Sequence, residues 1–116
     1  MVASVTASEM REPTFLVLAA LADGSKHGYA LITEVAILSD DRVRLRPGTL
    51  YAALDRLRDE GLVAVSGEEV VEGRLRRYYE LTERGAASLA EEAARLQANA
   101  KQALRRLRSR TAGANA

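Results

Sequence analysis

Cysteine and tryptophan are absent from this chain, and it has one histidine and two prolines. Without cysteine there is no disulfide and no thiolate for a metal site or a nucleophile. The absence fits a reducing compartment, and a cytoplasmic location is expected. One histidine leaves little for metal binding or acid–base chemistry. Glu91 and Glu92 are adjacent on a helical stretch and face different directions, so they do not form a carboxylate pair. No glycine pattern matches a phosphate-binding loop. The chain is therefore not expected to be an enzyme or to hold a metal or cofactor. Long apolar runs are also missing. The longest, Phe15 to Ala22, falls short of the about 20 residues that cross a bilayer. Residues 1–10 lack the basic start and apolar centre of a signal peptide. No membrane partner is expected.

Charge of one sign is not in excess either: the net charge is +1. Its distribution is more informative. Basic residues gather at Arg42, Arg44 and Arg46, at Arg74, Arg76 and Arg77, and from Lys101 to Arg110. With 116 residues, 47% hydrophobic and 28% charged, the chain suits one small folded domain with a single core.

Residues 1–11 carry no sustained pattern and read as a flexible tail. "PTFLVLAALADG" predicts a helix that begins at Pro13, stops at Gly24 and is buried on more than one side. "SKHGYALITEVAIL" predicts a second, with Ser25 as its N-cap and rows Tyr29–Ile32–Ala36 and Leu31–Val35–Leu38 turned inward. "RVRL" alternates with period two and predicts a short strand at Arg42–Leu45. Leu50, Ala53, Leu54 and Leu57 then trace one helical face, closed by Gly61. "LVAV" and "RRYYELT" predict a hairpin with "GEEVVEG" as a long charged tip. Within it Tyr79 and Leu81 point to the core and Tyr78 outward. Thr82 would cap a last helix running to about Ser109, with residues 111–116 frayed.

Helix, helix, strand, helix, hairpin is the order of a winged helix-turn-helix. The fold expected is mainly α with a small β-wing, spanning residues 12–81, plus a long C-terminal dimerisation helix at 82–110. In such domains the second of the paired helices enters the major groove by its N-terminal end. The segment "RPGTLY" fits that use: Pro47 fixes the helix start, Gly48 lets backbone approach, and Thr49 and Tyr51 offer hydroxyls.

"HGYALI", "RPGTLYAALDRLRDEGLV" and "RRYYELTERG", in this order and spacing, resemble the PadR family of transcriptional regulators. The likeness covers roughly Thr14 to Gly85, and the single C-terminal helix resembles the family's shorter members. It implies a homodimeric cytoplasmic repressor of double-stranded DNA, dimerised through the last helix and released by a small-molecule effector at the dimer interface. Some relatives stack planar drugs between interface tryptophans, an arrangement this chain cannot make.

The individual residues carry competing readings. Thr49 and Tyr51 are either DNA contacts or a cap and a packing tyrosine; the resemblance favours contact. On the same outer face, Ala52 can meet a thymine methyl and Asp55 can accept from a cytosine amine. Arg56 reaches either phosphate or Glu60, four residues on. Lys26 and His27, at a helix start, either hold phosphate or cap an exposed turn. Arg74, Arg76 and Arg77 suit phosphate or a narrow minor groove, yet Glu68, Glu69 and Glu72 on the same wing can neutralise them. The seam Ala86, Leu89, Ala93, Leu96, Ala100, Ala103 and Leu107 steps by three and four and needs a partner, most simply a second copy. Phe15 is placed at that interface too. The basic end of the last helix reads as a solvated face that complements the helix dipole. Two functions remain open: a sequence-specific DNA-binding repressor, or a winged-helix interaction module that does not read DNA.

Overall fold

The computed structural model describes residues 10–115. The elements are helix α1 (Glu12–Leu21), strand β1 (Lys26–His27), helix α2 (Gly28–Leu38), helix α3 (Pro47–Asp59), strands β2 (Val63–Val71) and β3 (Arg74–Leu81), and helix α4 (Glu83–Asn115). This is the expected mainly helical winged helix-turn-helix with a long C-terminal helix. The flexible tail was expected over 1–11, of which 1–9 lie outside the described residues. Met10 packs against the core.

The core is built from helix faces whose spacing the sequence prescribes. Leu16, Val17, Leu18, Ala20 and Leu21 of α1 are buried around most of that helix. Leu31 and Val35 of α2 and Leu50, Leu54 and Leu57 of α3 close on it, joined by Val63 and Tyr79 of the sheet. Each such aliphatic side chain contributes about 1.5–3 kcal/mol by leaving water. Leu38 and Tyr29, expected in the inner rows of α2, are exposed instead, Tyr29 at 65%. Leu31 and Val35 of one row fill the core and Ile32 of the other packs against it, while Tyr29 and Leu38, at opposite ends of the helix, turn to solvent.

The third strand is not where alternation placed it. Arg42–Leu45 is irregular, and β1 takes the free edge of β3 with Lys26 opposite Tyr79 and His27 opposite Tyr78. The alternation of "RVRL" records burial only: Val43 and Leu45 pack on the core while Arg42 and Arg44 pair outward with Glu12 and Asp41. Asp40 and Asp41 at φ 53° and 65° turn the chain out of α2. The Val43 N–H then donates to Ser39 Oγ at 3.0 Å, not to a strand. Because β1 extends to His27, His27 and not Ser25 is the N-cap of α2.

The hairpin is longer and its turn tighter than expected. "GEEVV" belongs to β2, and only Glu72 and Gly73 form the tip, at φ 51° and 77°. Two residues with positive φ give a turn whose twist matches the flanking strands. Val71 faces Arg74 and Glu68 faces Arg77 across the ladder.

Thr82 does cap α4: its Oγ1 accepts from the Gly85 N–H at 2.9 Å. The helix continues to Asn115, past the expected end, so residues 111–115 are helical and not frayed. Nothing breaks it sooner, since neither proline nor a run of β-branched residues follows Ser109. At 1.5 Å per residue its 33 residues span about 50 Å, much of the molecule's 69 Å length. Leu89 and Glu92 still touch the body; Leu96, Leu104 and Leu107 are 41%, 56% and 55% exposed.

Where α4 leaves the sheet, Gly85 is irreplaceable. A Cβ there would lie 2.0 Å from the Leu62 carbonyl oxygen and 2.9 Å from Leu81 Cδ1. Backbone cannot give way as a side chain can, so Gly85→Ala should lower stability by about 1–3 kcal/mol in urea unfolding. A variant as stable as the parent would show that α4 is not held this closely to the hairpin.

Candidate nucleic-acid interface

Helix α3 presents two faces with different tasks. Leu50, Leu54 and Leu57 anchor it in the core, while Gly48, Thr49, Tyr51, Ala52, Asp55 and Arg56 are exposed on the other side. Pro47 occupies the first turn, where its missing N–H costs no hydrogen bond. Arg46 precedes it as an N-cap with no side-chain capping bond, which leaves first-turn N–H groups turned outward.

Beside this face lies a cleft of about 530 Å³ between the wing and the start of α2, with Tyr29, Tyr51, Leu75, Arg74, Arg76 and Arg77 among its lining. The three wing arginines are not equivalent. Arg77 Nε donates to Glu68 Oε2 at 3.0 Å, which holds the guanidinium above its ordinary pKa. Glu69 accepts from the Tyr78 hydroxyl at 2.6 Å. Among the described residues neither Arg74 nor Arg76 makes an ion pair. Two of the three glutamates that threatened to neutralise the wing are thus engaged by Arg77 and Tyr78. Tyr78 itself is half-buried.

The start of α2 is committed to structure. Lys26 Nζ donates to the Ala20 carbonyl at 2.7 Å and pairs with Asp23, so it closes the end of α1 and is directed away from the cleft. His27 Nδ1 accepts from the Ala30 N–H at 3.3 Å, and its ring stands edge-on to Tyr78 at 5.5 Å. Burial pushes the imidazole below its ordinary pKa; Arg76 acts in the same sense and Glu69 opposes. Arg56 does not pair with Glu60: its Nη2 donates to Thr14 Oγ1 at 3.0 Å, tying α3 to α1.

Sequence reasoning passed over Gly28. It is buried, and a Cβ at this position would lie 2.1 Å from the Tyr51 hydroxyl oxygen and 2.7 Å from Cζ. The available signal was a glycine at the first position of a helix, where no unusual φ requires one. Partial burial of the Tyr51 ring raises the pKa of its hydroxyl, with Tyr79 and Tyr29 adding to it.

Comparison with known proteins bears directly on this surface. The model of the transcriptional regulator PadR-like family matches residues 17–91, which include α2, α3 and the whole wing. The chain belongs to the PadR-like family. It is 43% identical over 83 residues to the transcriptional regulator Rv3488 of Mycobacterium tuberculosis, covering 72% of this chain and 74% of that one. A PadR family transcription regulator from Clostridium difficile shares the fold with a TM-score of 0.70 at 22% identity, over 84% of this chain and 99% of the other. Bacillus subtilis PadR, solved in complex with operator DNA, superposes with a TM-score of 0.62 at 21% identity, over 70% of this chain and 46% of that chain.

The PadR-like chain has no helix among its described residues long and apolar enough to cross a membrane, and no acidic or histidine cluster there that could hold a metal ion. The one histidine serves as a cap, and this has a pH consequence. Its folded-state pKa is depressed below 6.5, so under acid the unfolded chain binds the proton more readily. Its contribution is complete above that value and is lost as pH falls through the folded pKa. His27→Asn keeps a capping side chain. Thermal unfolding from about pH 7.5 to about 5.5 should therefore show a shallower fall in the variant than in the parent. Parallel curves would mean that His27 is not the group responsible.

Proposed function

We propose that this PadR-like regulator is a homodimeric repressor that reads a pseudo-palindromic operator in double-stranded DNA. The observation that carries the reading is the shared surface of α3 and the wing. An exposed row of Thr49, Tyr51, Ala52 and Asp55 lies beside a cleft lined by Arg74 and Arg76, neither of which has an acidic partner among the described residues. Hydroxyls and a carboxylate on a helix face suit base edges and phosphates in a major groove; free guanidinium groups on a hairpin suit the adjacent backbone or a narrow minor groove. The alternative of an interaction module rested partly on wing glutamates, and two of these are occupied within the hairpin. The operator-bound relative supports the same use of the fold.

The dimer follows from α4. From Ala93 onward every residue up to Gly113 is exposed, including the leucines of the seam, and an apolar stripe on a helix projecting from the body requires a partner. Pairing two copies through Ala93, Leu96, Ala100, Ala103 and Leu107 would set two α3 helices on one face of the duplex, about one turn (roughly 34–36 Å) apart. Phe15 and Leu89, expected at the same interface, are half-buried against the core, and Ala86 is exposed. In this reading the protein is cytoplasmic, and a small-molecule effector at the dimer interface would act by changing the spacing of the two α3 helices.

A gel-shift titration against the DNA upstream of the protein's own gene tests this reading, with unrelated DNA as competitor. We expect a competitor-resistant complex whose log affinity falls linearly with log salt concentration. Arg76→Ala should weaken binding to all sequences and reduce the salt slope by about 1, whereas Asp55→Ala should relax sequence preference. Equal competition by unrelated DNA, or an Arg76 variant with unchanged affinity and slope, would contradict the proposal.

A further inference from the structure

We propose that Gly28 is a positioning residue for the DNA interface: its missing side chain seats the Tyr51 ring on the first turn of α2, and this seat fixes the reading helix relative to the wing. The inference rests on the DNA-reading proposal and adds to it a residue that touches no DNA. Alanine is the better helix former, and Gly28 has no backbone geometry that only glycine adopts. Glycine there answers a spatial demand, and the three nearest atoms that a Cβ would meet all belong to Tyr51.

The position of the contact gives it its importance. Gly28 directly follows β1, whose His27 pairs with Tyr78 of the wing strand. Tyr51 stands on the exposed side of α3, one residue beyond the buried Leu50. The Tyr51–Gly28 contact therefore joins the reading helix to the strand that carries the wing. Core stability depends on it little, because Leu50, Leu54 and Leu57 hold α3 from the other side. A Cβ at position 28 would meet the far end of a side chain 40% exposed, which can swing outward without disturbing the core. The displaced ring would then move into the surface where DNA must lie. A change that costs the fold little would alter DNA recognition substantially.

The test compares the parent, Gly28→Ala, Tyr51→Ala and the double variant by fluorescence anisotropy. The probes are a duplex enriched by the parent from a random-sequence library and a shuffled duplex of the same composition; melting midpoints are measured in parallel. Gly28→Ala should lose roughly ten-fold of the preference for the enriched duplex, with a midpoint shift within about 5 °C. The double variant should bind no worse than Tyr51→Ala, because with the ring removed the three atoms nearest the added Cβ are gone. A merely structural role would weaken both duplexes together, in step with the melting midpoint. Gly28→Ala binding like the parent, or losses that multiply in the double variant, would overturn the inference. If Gly28→Ala fails to fold, recovery in the double variant supports the seat, and an unfolded double variant overturns it. If the parent enriches no sequence at all, the DNA reading fails and the inference falls with it.

Discussion

One helix has to be held firmly by one face while the other is left free. Leu50, Leu54 and Leu57 of α3 are completely or almost completely buried, and that anchor lets Thr49, Tyr51, Ala52 and Asp55 stand in solvent without the helix detaching. A helix of 13 residues is marginal alone in water, so its order comes from this apolar stripe. Apart from the contacts of Arg56 and Tyr51, the exposed face adds little to folding and is available to recognise something else. Everything around α3 serves that division: α1 fills the core behind it, Arg56 ties it to Thr14 of α1, and Tyr51 leans on Gly28 to fix its entry.

The wing follows the same logic with charge in place of burial. Cross-strand register sets Glu68 against Arg77, and the neighbouring Glu69 takes the Tyr78 hydroxyl. Exposed pairs of this kind add little stability, about 0–1 kcal/mol. Their effect is on the distribution of charge: two acids are occupied inside the hairpin, while Arg74 and Arg76 face the cleft. Glu72 lines the same cleft, and what sets Arg74 and Arg76 apart is that neither is held in an ion pair among the described residues. Net charge is a poor guide to nucleic-acid binding when ion pairs within one element decide which groups remain available.

The legible parts of the fold were those in which local pattern and tertiary packing agree. The step-three, step-four leucines of α3 and the Thr82 cap are each set by spacings within a turn or two of the chain, and both are found as expected. The "RVRL" segment was misread because alternation reports burial and not hydrogen bonding; strand pairing is decided by what competes for the free edge of β3, and Lys26–His27 lie closer to hand. Tyr29 and Leu38 lie in solvent because only the middle of α2, at Leu31, Ile32 and Val35, reaches the core, and an apolar row does not show where along its length the packing ends. Of the expected site, Tyr51 of α3 and the three wing arginines come together around one cleft, while Gly48, Thr49, Ala52, Asp55 and Arg56 are exposed on α3 outside its lining. Lys26 turns back on the Ala20 carbonyl, a partner six residues away that no periodicity announces. Gly28 escaped notice because a glycine's role here is the space it leaves for a side chain 23 positions later in the chain.

The central claim is that α3 and the wing of each copy act as one surface on a duplex. Hydroxyl-radical footprinting on an enriched duplex measures this most directly. The account predicts two protected segments on one face of the DNA, their centres about one helical turn (roughly 34–36 Å) apart, with weaker protection flanking each where the wings lie. A single unbroken footprint, or uniform cleavage in the presence of saturating protein, would contradict it.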